Sequence, residues 1–128
     1  MTALDTFNRY LASLEAGDMG ALAATLHPGV VWHQPGAHPL AGDHVGPDAV
    51  LGLLGGMMER SAGSLIVATE SSIAGGDLVA ATVCFTAKRD GRADLDQHGV
   101  DVFRIQDDRI VEVWLMSENQ PAEDLFWS

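Results

Sequence analysis

Residues 97–120, QHGVDVFRIQDDRIVEVWLMSENQ, decide the fold. Two runs rich in β-branched and aromatic residues flank Gln106-Asp107-Asp108-Arg109, a polar break suited to a tight turn, and together they predict a hairpin of two long strands. Alternation puts Gln97, Gly99, Asp101, Phe103 and Ile105 on one face and His98, Val100, Val102 and Arg104 on the other. Asp101 therefore shares its face with Phe103 and Ile105, not with Arg104. On a fully apolar face desolvation favours the neutral carboxyl and raises its pKa, so that it donates a hydrogen bond at pH 7. On a half-buried face the same carboxyl is solvated or paired, and alternation alone leaves both readings open. In the second strand Val111, Val113, Leu115 and Ser117 are expected on one face, with Glu112, Trp114, Met116 and Glu118 on the other.

Upstream of the hairpin, residues 65–73 and 78–89 read as two further strands separated by Gly75-Gly76-Asp77. Gly91-Arg92, with Asp94 and Asp96 following, reads as a hairpin turn with solvated charges. Before these come helices. Leu4, Phe7, Leu11 and Leu14 recur at helical spacing over residues 4–16, Gly17 stops the helix, and Tyr10 falls on the same stripe. Asp18 caps a short second helix carrying Met19, Leu22 and Leu26, which His27-Pro28-Gly29 ends. Residues 30–34 form a short strand with Val30, Trp32 and Gln34 on one face and Val31 and His33 on the other. Residues 37–46 read as a loop, and Pro47 opens a third helix whose apolar side is Val50, Leu51, Leu54 and Met58. Three helices placed before an antiparallel meander imply an α+β fold, with the helices on one face of a curved sheet and a small-molecule pocket between. The tail, PAEDLFWS, ends in Leu125, Phe126 and Trp127, which are expected to cover the pocket mouth or dock on another subunit.

The chain has 128 residues, enough for one domain spanning 1–128. With 7 Lys plus Arg against 18 Asp plus Glu, its formal charge of −11 argues against nucleic acid and anionic membranes as partners. No apolar run has membrane-spanning length and no signal-peptide pattern opens the chain, so a cytoplasmic protein is expected. The single cysteine, Cys84, lies mid-strand and is read as packing. His27, His33, His38, His44 and His98 form no i, i+4 pair on a helix and have no cysteine partner, so no metal site is expected. His33 titrates near neutrality and is a candidate base if the strand twists before Pro35; otherwise it serves structure or an interface. His38 and His44 either line the pocket entrance or are solvated loop residues.

The stretches RYLASLEAGD (9–18), VVWHQPG (30–36), LAGDHVGPDAV (40–50) and VDVFRIQDDRIVEVW (100–114), in this order, resemble the nuclear transport factor 2-like superfamily. That superfamily is a cone-shaped α+β fold that includes ketosteroid isomerases, SnoaL-like polyketide cyclases and limonene epoxide hydrolase. The resemblance is nearest to the SnoaL-like group. It implies that Tyr10 stands where ketosteroid isomerases carry their oxyanion tyrosine and Asp101 where they carry a neutral aspartic acid. The isomerase base, an aspartate preceding a proline, is replaced by Gln34 before Pro35, and glutamine accepts no proton. This substitution argues against ordinary ketosteroid isomerase activity, and Asn119 stands near where SnoaL-like cyclases usually carry an aspartate.

What the resemblance implies is a cofactor-independent isomerase or cyclase acting on a hydrophobic ketone-like or polyketide substrate. Its candidate catalytic residues are Tyr10, Asp101 and His33, and its pocket residues Gln34, Trp32, Phe103, Phe85, Val113 and Leu115. The alternatives are a non-catalytic small-molecule-binding module of the same fold, or an epoxide-opening enzyme. No cofactor is expected, and a homodimer through the sheet face carrying Trp114 and Met116 is.

Overall fold

In the computed structural model, which describes residues 1–128, the chain opens with α1 (Ala3–Ala16). Thr2 and Asp5 close a reciprocal capping box at its start, and Gly17 ends it in the left-handed region at φ 66°. Phe7 and Tyr10, one turn apart, face the sheet and are buried.

Asp18 caps α2 (Met19–Ala24) by accepting from the Ala21 N–H. The helix stops before Leu26, earlier than its sequence suggests. Thr25 Oγ1 donates to the Leu22 carbonyl at 2.7 Å, and the Thr25 carbonyl accepts from Ile110 N–H at 2.8 Å, so pairing to a distant strand outcompetes another helical turn. Leu26 thus begins β1 (Leu26–Gln34), and Pro28-Gly29, expected to be a break, falls inside an irregularity of register between Leu26 and Val31.

The expected loop 37–46 contains an edge strand, β2 (Gly42–Val45), paired antiparallel to residues 31–34 of β1. Next, α3 (Pro47–Arg60) buries Val50, Leu53 and Met57. Leu51 and Leu54 are only partly buried and Met58 is 43 % exposed, which turns the apolar stripe away from the one read in sequence. A run apolar on several sides leaves that rotation to packing. Then come β3 (Ile66–Gly75), β4 (Leu78–Ala87), β5 (Leu95–Gln106) and β6 (Arg109–Ser117).

All six strands form one curved sheet in the order β2-β1-β6-β5-β4-β3, and β1 with β6 is its parallel pair. Asp107 and Asp108, at φ 52° and 60°, make the tight turn between β5 and β6. Arg104 pairs with Glu112 while Ile105 pairs with Ile110, so Val111 is an extra, bulged residue. The inward face of β6 is consequently Ile110, Val113, Leu115 and Ser117, with Ile110 replacing the Val111 expected from strict alternation.

The tail forms a fourth helix, α4 (Gln120–Trp127), capped by Asn119 Oδ1 on the Ala122 N–H at 3.2 Å. Phe126 and Trp127 are buried within their own chain, whereas Leu125 is 72 % exposed. Three arginines satisfy the carbonyls at its C-terminal end: Arg60 on Trp127, Arg89 on Phe126 and Arg92 on Leu125. Arg92 is therefore a docking residue rather than a solvated turn charge. No helix is long and apolar enough to cross a membrane.

Candidate active site

The helices and the inward sheet face enclose an aromatic cluster. Phe103 of β5 lies 5.0 Å from the ring of Phe7, 5.3 Å from Tyr10 and 6.3 Å from Trp32, centroid to centroid. Phe103, Trp32, Val113 and Gln34 are buried on this face and Phe85 and Leu115 half-buried, so the six pocket residues named from sequence share one side of the sheet. Gly99 makes room for Phe85: a Cβ there would stand 2.5 Å from the Met116 carbonyl oxygen and 3.2 Å from the Phe85 ring.

Tyr10 and Asp101 face into this enclosure from α1 and β5. Asp101 pairs across the sheet with Ala81 and Leu115, both apolar, and no side chain or backbone group bonds its carboxyl. Burial, assisted by the negative charge of Glu123, pushes its pKa up to about 7. Burial first, and then the charge of Asp101, raise the Tyr10 phenol well above its ordinary value. Tyr10 Oη likewise has no partner in the protein, although the residue is 3 % exposed. The enclosed side-chain polar atom left unpaired is His38 Nε2, so the oxygens of Tyr10 and Asp101 are not fully sealed from solvent. Two cavities, of about 800 and 620 Å³, lie elsewhere on the molecule, and neither residue lines them.

The third candidate, His33, lies on the opposite face. Its Nδ1 bonds Asp43 and its Nε2 bonds Glu112, each at 2.7 Å, and its ring stacks on Trp114 at 5.8 Å. These two carboxylates raise its pKa, Glu112 foremost, and the ring pins the short edge strand β2 to β1 and β6. No twist before Pro35 brings it inward. Gln34 does face inward, 6 % exposed, with its Oε1 accepting from Trp32 Nε1 at 3.1 Å. Arg104 stays on the outer face with His33, over the Trp114 ring at 5.3 Å, so no Asp–Arg–Asp arrangement of the epoxide hydrolase type forms around Asp101.

His38 is not a solvated loop residue: it is 9 % exposed because α4 packs over its loop. Its Nδ1 accepts from Leu40 N–H at 3.1 Å, and burial lowers its pKa. His44 Nε2 bonds the Leu40 carbonyl at 2.9 Å.

One inward acid escaped the sequence reading. Glu123, 4 % exposed in the first turn of α4, accepts a hydrogen bond from Ser117 Oγ, and burial raises its pKa. Gln97 ties the same helix start to β5, donating to the Asn119 carbonyl at 2.8 Å. The signal was present as Asn119, Pro121 and an acid in succession, a helix-start pattern in a stretch short enough to pass for a tail.

A SnoaL-like domain profile matches residues 7–113. A protein of unknown function with a cystatin-like fold from Xanthomonas campestris is 40 % identical, with a TM-score of 0.92 over 100 % of this chain and 99 % of that one. Bal32a, from a soil-derived mobile gene cassette, is 27 % identical, with a TM-score of 0.92 over 98 % of this chain and 96 % of its own. IdmH, a candidate polyketide cyclase from Streptomyces antibioticus, shares the fold at 20 % identity and a TM-score of 0.76, covering 98 % of this chain and 96 % of its own. With that profile spanning α1 to the middle of β6, this chain belongs to the SnoaL-like domain family.

Proposed function

We propose that this protein is a cofactor-independent isomerase or cyclase that binds a hydrophobic, ketone-like or polyketide-type substrate between its helices and sheet. Tyr10 and Asp101 each donate a hydrogen bond to one substrate oxygen and stabilise the negative charge that develops there. One observation carries this reading: two unpartnered hydroxyl-bearing groups on separate elements face one aromatic-walled interior. A carboxyl with a pKa about 7 is substantially protonated at neutral pH, and donors fixed in a dry site act without reorganising during the reaction. The family membership and the likeness to IdmH support the substrate class.

The second reading is a binding module without chemistry, which Gln34 favours because it replaces a proton acceptor with an amide. A fluorescent naphthol separates the Tyr10–Asp101 site from a merely apolar pocket, because its oxygen mimics an enolate. The naphthol is expected to bind with a spectral shift toward its ionised form, and Tyr10→Phe and Asp101→Asn are each expected to weaken it about 10- to 100-fold, as loss of a charge-assisted bond does. Equal binding by all three proteins would leave only an apolar pocket.

A further inference from the structure

Resting on the reading of Tyr10 and Asp101 as oxygen-binding groups, the geometry points to Glu123 as the proton-transferring base of this site, supplied by α4 rather than by the end of β1. The position after His33 holds an amide, so the base must come from another element. Glu123 is the carboxyl whose charge acts on Asp101 and favours its protonation.

Its surroundings differ from those of Asp101 in the direction a base needs. Ser117 Oγ donates to Glu123 Oε2, and the carboxyl sits in the first turn of α4, where unpaired N–H groups favour an anion. Asp101 has neither support. Burial raises the pKa of both acids, but only Glu123 has hydrogen-bond donors that offset it, so the two can divide the donor and acceptor roles. Ser117 engages Glu123 Oε2 and Gln120 lies close enough to support the anion as well, while Oε1 is not among the sealed unpaired atoms. The other titratable group close to Glu123 is Asp124 on its own helix, which bonds Ala37 N–H at 3.1 Å and Gln120 at 2.9 Å instead.

For a β,γ-unsaturated ketone the step balances within these residues. The Glu123 carboxylate takes the proton from the carbon between the carbonyl and the double bond, breaking C–H and forming O–H on the carboxyl. The electron pair moves onto the carbonyl oxygen, held by the hydroxyls of Tyr10 and Asp101. Return of that proton to the γ-carbon gives the conjugated ketone and restores the carboxylate. No oxidant or second substrate is consumed.

The test follows conversion of a β,γ-unsaturated cyclic ketone by ultraviolet absorbance, alongside naphthol binding. Glu123→Gln keeps an acceptor for Ser117 and is expected to lower kcat about 10²- to 10⁴-fold, while naphthol binding, read at pH 5 where Asp101 keeps its proton without the Glu123 charge, stays within about threefold of the parent. Glu123→Asp is expected to recover part of the rate. The acid limb of the parent's pH–rate profile should be absent from Glu123→Gln. Glu118→Gln, which alters an exposed acid nearby, controls for net charge. If naphthol binds through Tyr10 and Asp101 while Glu123→Gln keeps the parent's kcat, or the parent converts no ketone, the assignment of Glu123 is overturned and the oxygen-binding site stands. If naphthol binding ignores Tyr10 and Asp101, the underlying reading fails first.

Discussion

At the residue scale, Asp101 sets a pH dependence whose sign is fixed. Its pKa rises from about 4 in an unfolded chain to about 7 in the fold, so the folded state binds the proton more tightly. Stability from this group is therefore greatest below pH 4, falls as pH rises toward 7, and is flat above. Asp101→Asn keeps the shape of the neutral carboxyl and removes the titration. Relative to the parent, the variant is expected to gain about 1–3 kcal/mol between pH 5 and pH 8, read by urea unfolding at both. A constant difference would mean that Asp101 is solvated, the other reading that alternation left open. The inward placement of Tyr10, Asp101 and Phe103 was legible because helical and strand periods dictate which side chains share a side. Glu112 and Asp43 around His33 were not, since that cluster depends on register between three strands.

At the element scale, α4 was the part of the fold hardest to read. An eight-residue helix has little stability of its own, and this one is held by Arg60, Arg89 and Arg92, all distant in sequence. The edge strand β2 was hidden for a similar reason, since pairing with β1 rather than propensity makes it a strand. The long hairpin and α1 carried their own turn and cap signals and were readable. The start of α4 rests on Gly36, at φ 111°: a Cβ there would come within 2.2 Å of Asp124 Oδ1 and 2.4 Å of Gln120 Nε2. Gly36→Ala is expected to cost about 2–3 kcal/mol through strain and displaced anchors. Amide exchange should accelerate in residues 120–127 while the central strands stay protected. Acceleration spread evenly over the chain would show that α4 is not a separable unit.

At the scale of the whole molecule, the outer sheet face carries exposed apolar side chains beside the cluster in which His33 and Arg104 cover Trp114. Ile66, Ile73 and Met116 are 63 %, 76 % and 56 % exposed on this face, apolar surface that a partner would remove from water. We expect a second copy to cover it, giving light-scattering mass near twice the 13.6 kDa of the chain. Met116→Asp is expected to shift that mass toward the monomer, and a monomeric parent at micromolar concentration would refute the pairing. The parallel contact of β1 with β6 has a further consequence, for the order of events as the protein is made. Leu26 finds its partner Ile110 only after most of the chain has left the ribosome, and Phe7 and Tyr10 wait equally long for Phe103. Such distant pairings slow folding, because loop closure precedes the contacts that reward it. The newborn helices must therefore pass through synthesis with their aromatic side chains uncovered, and the last strand to emerge is the one that lets the first one settle.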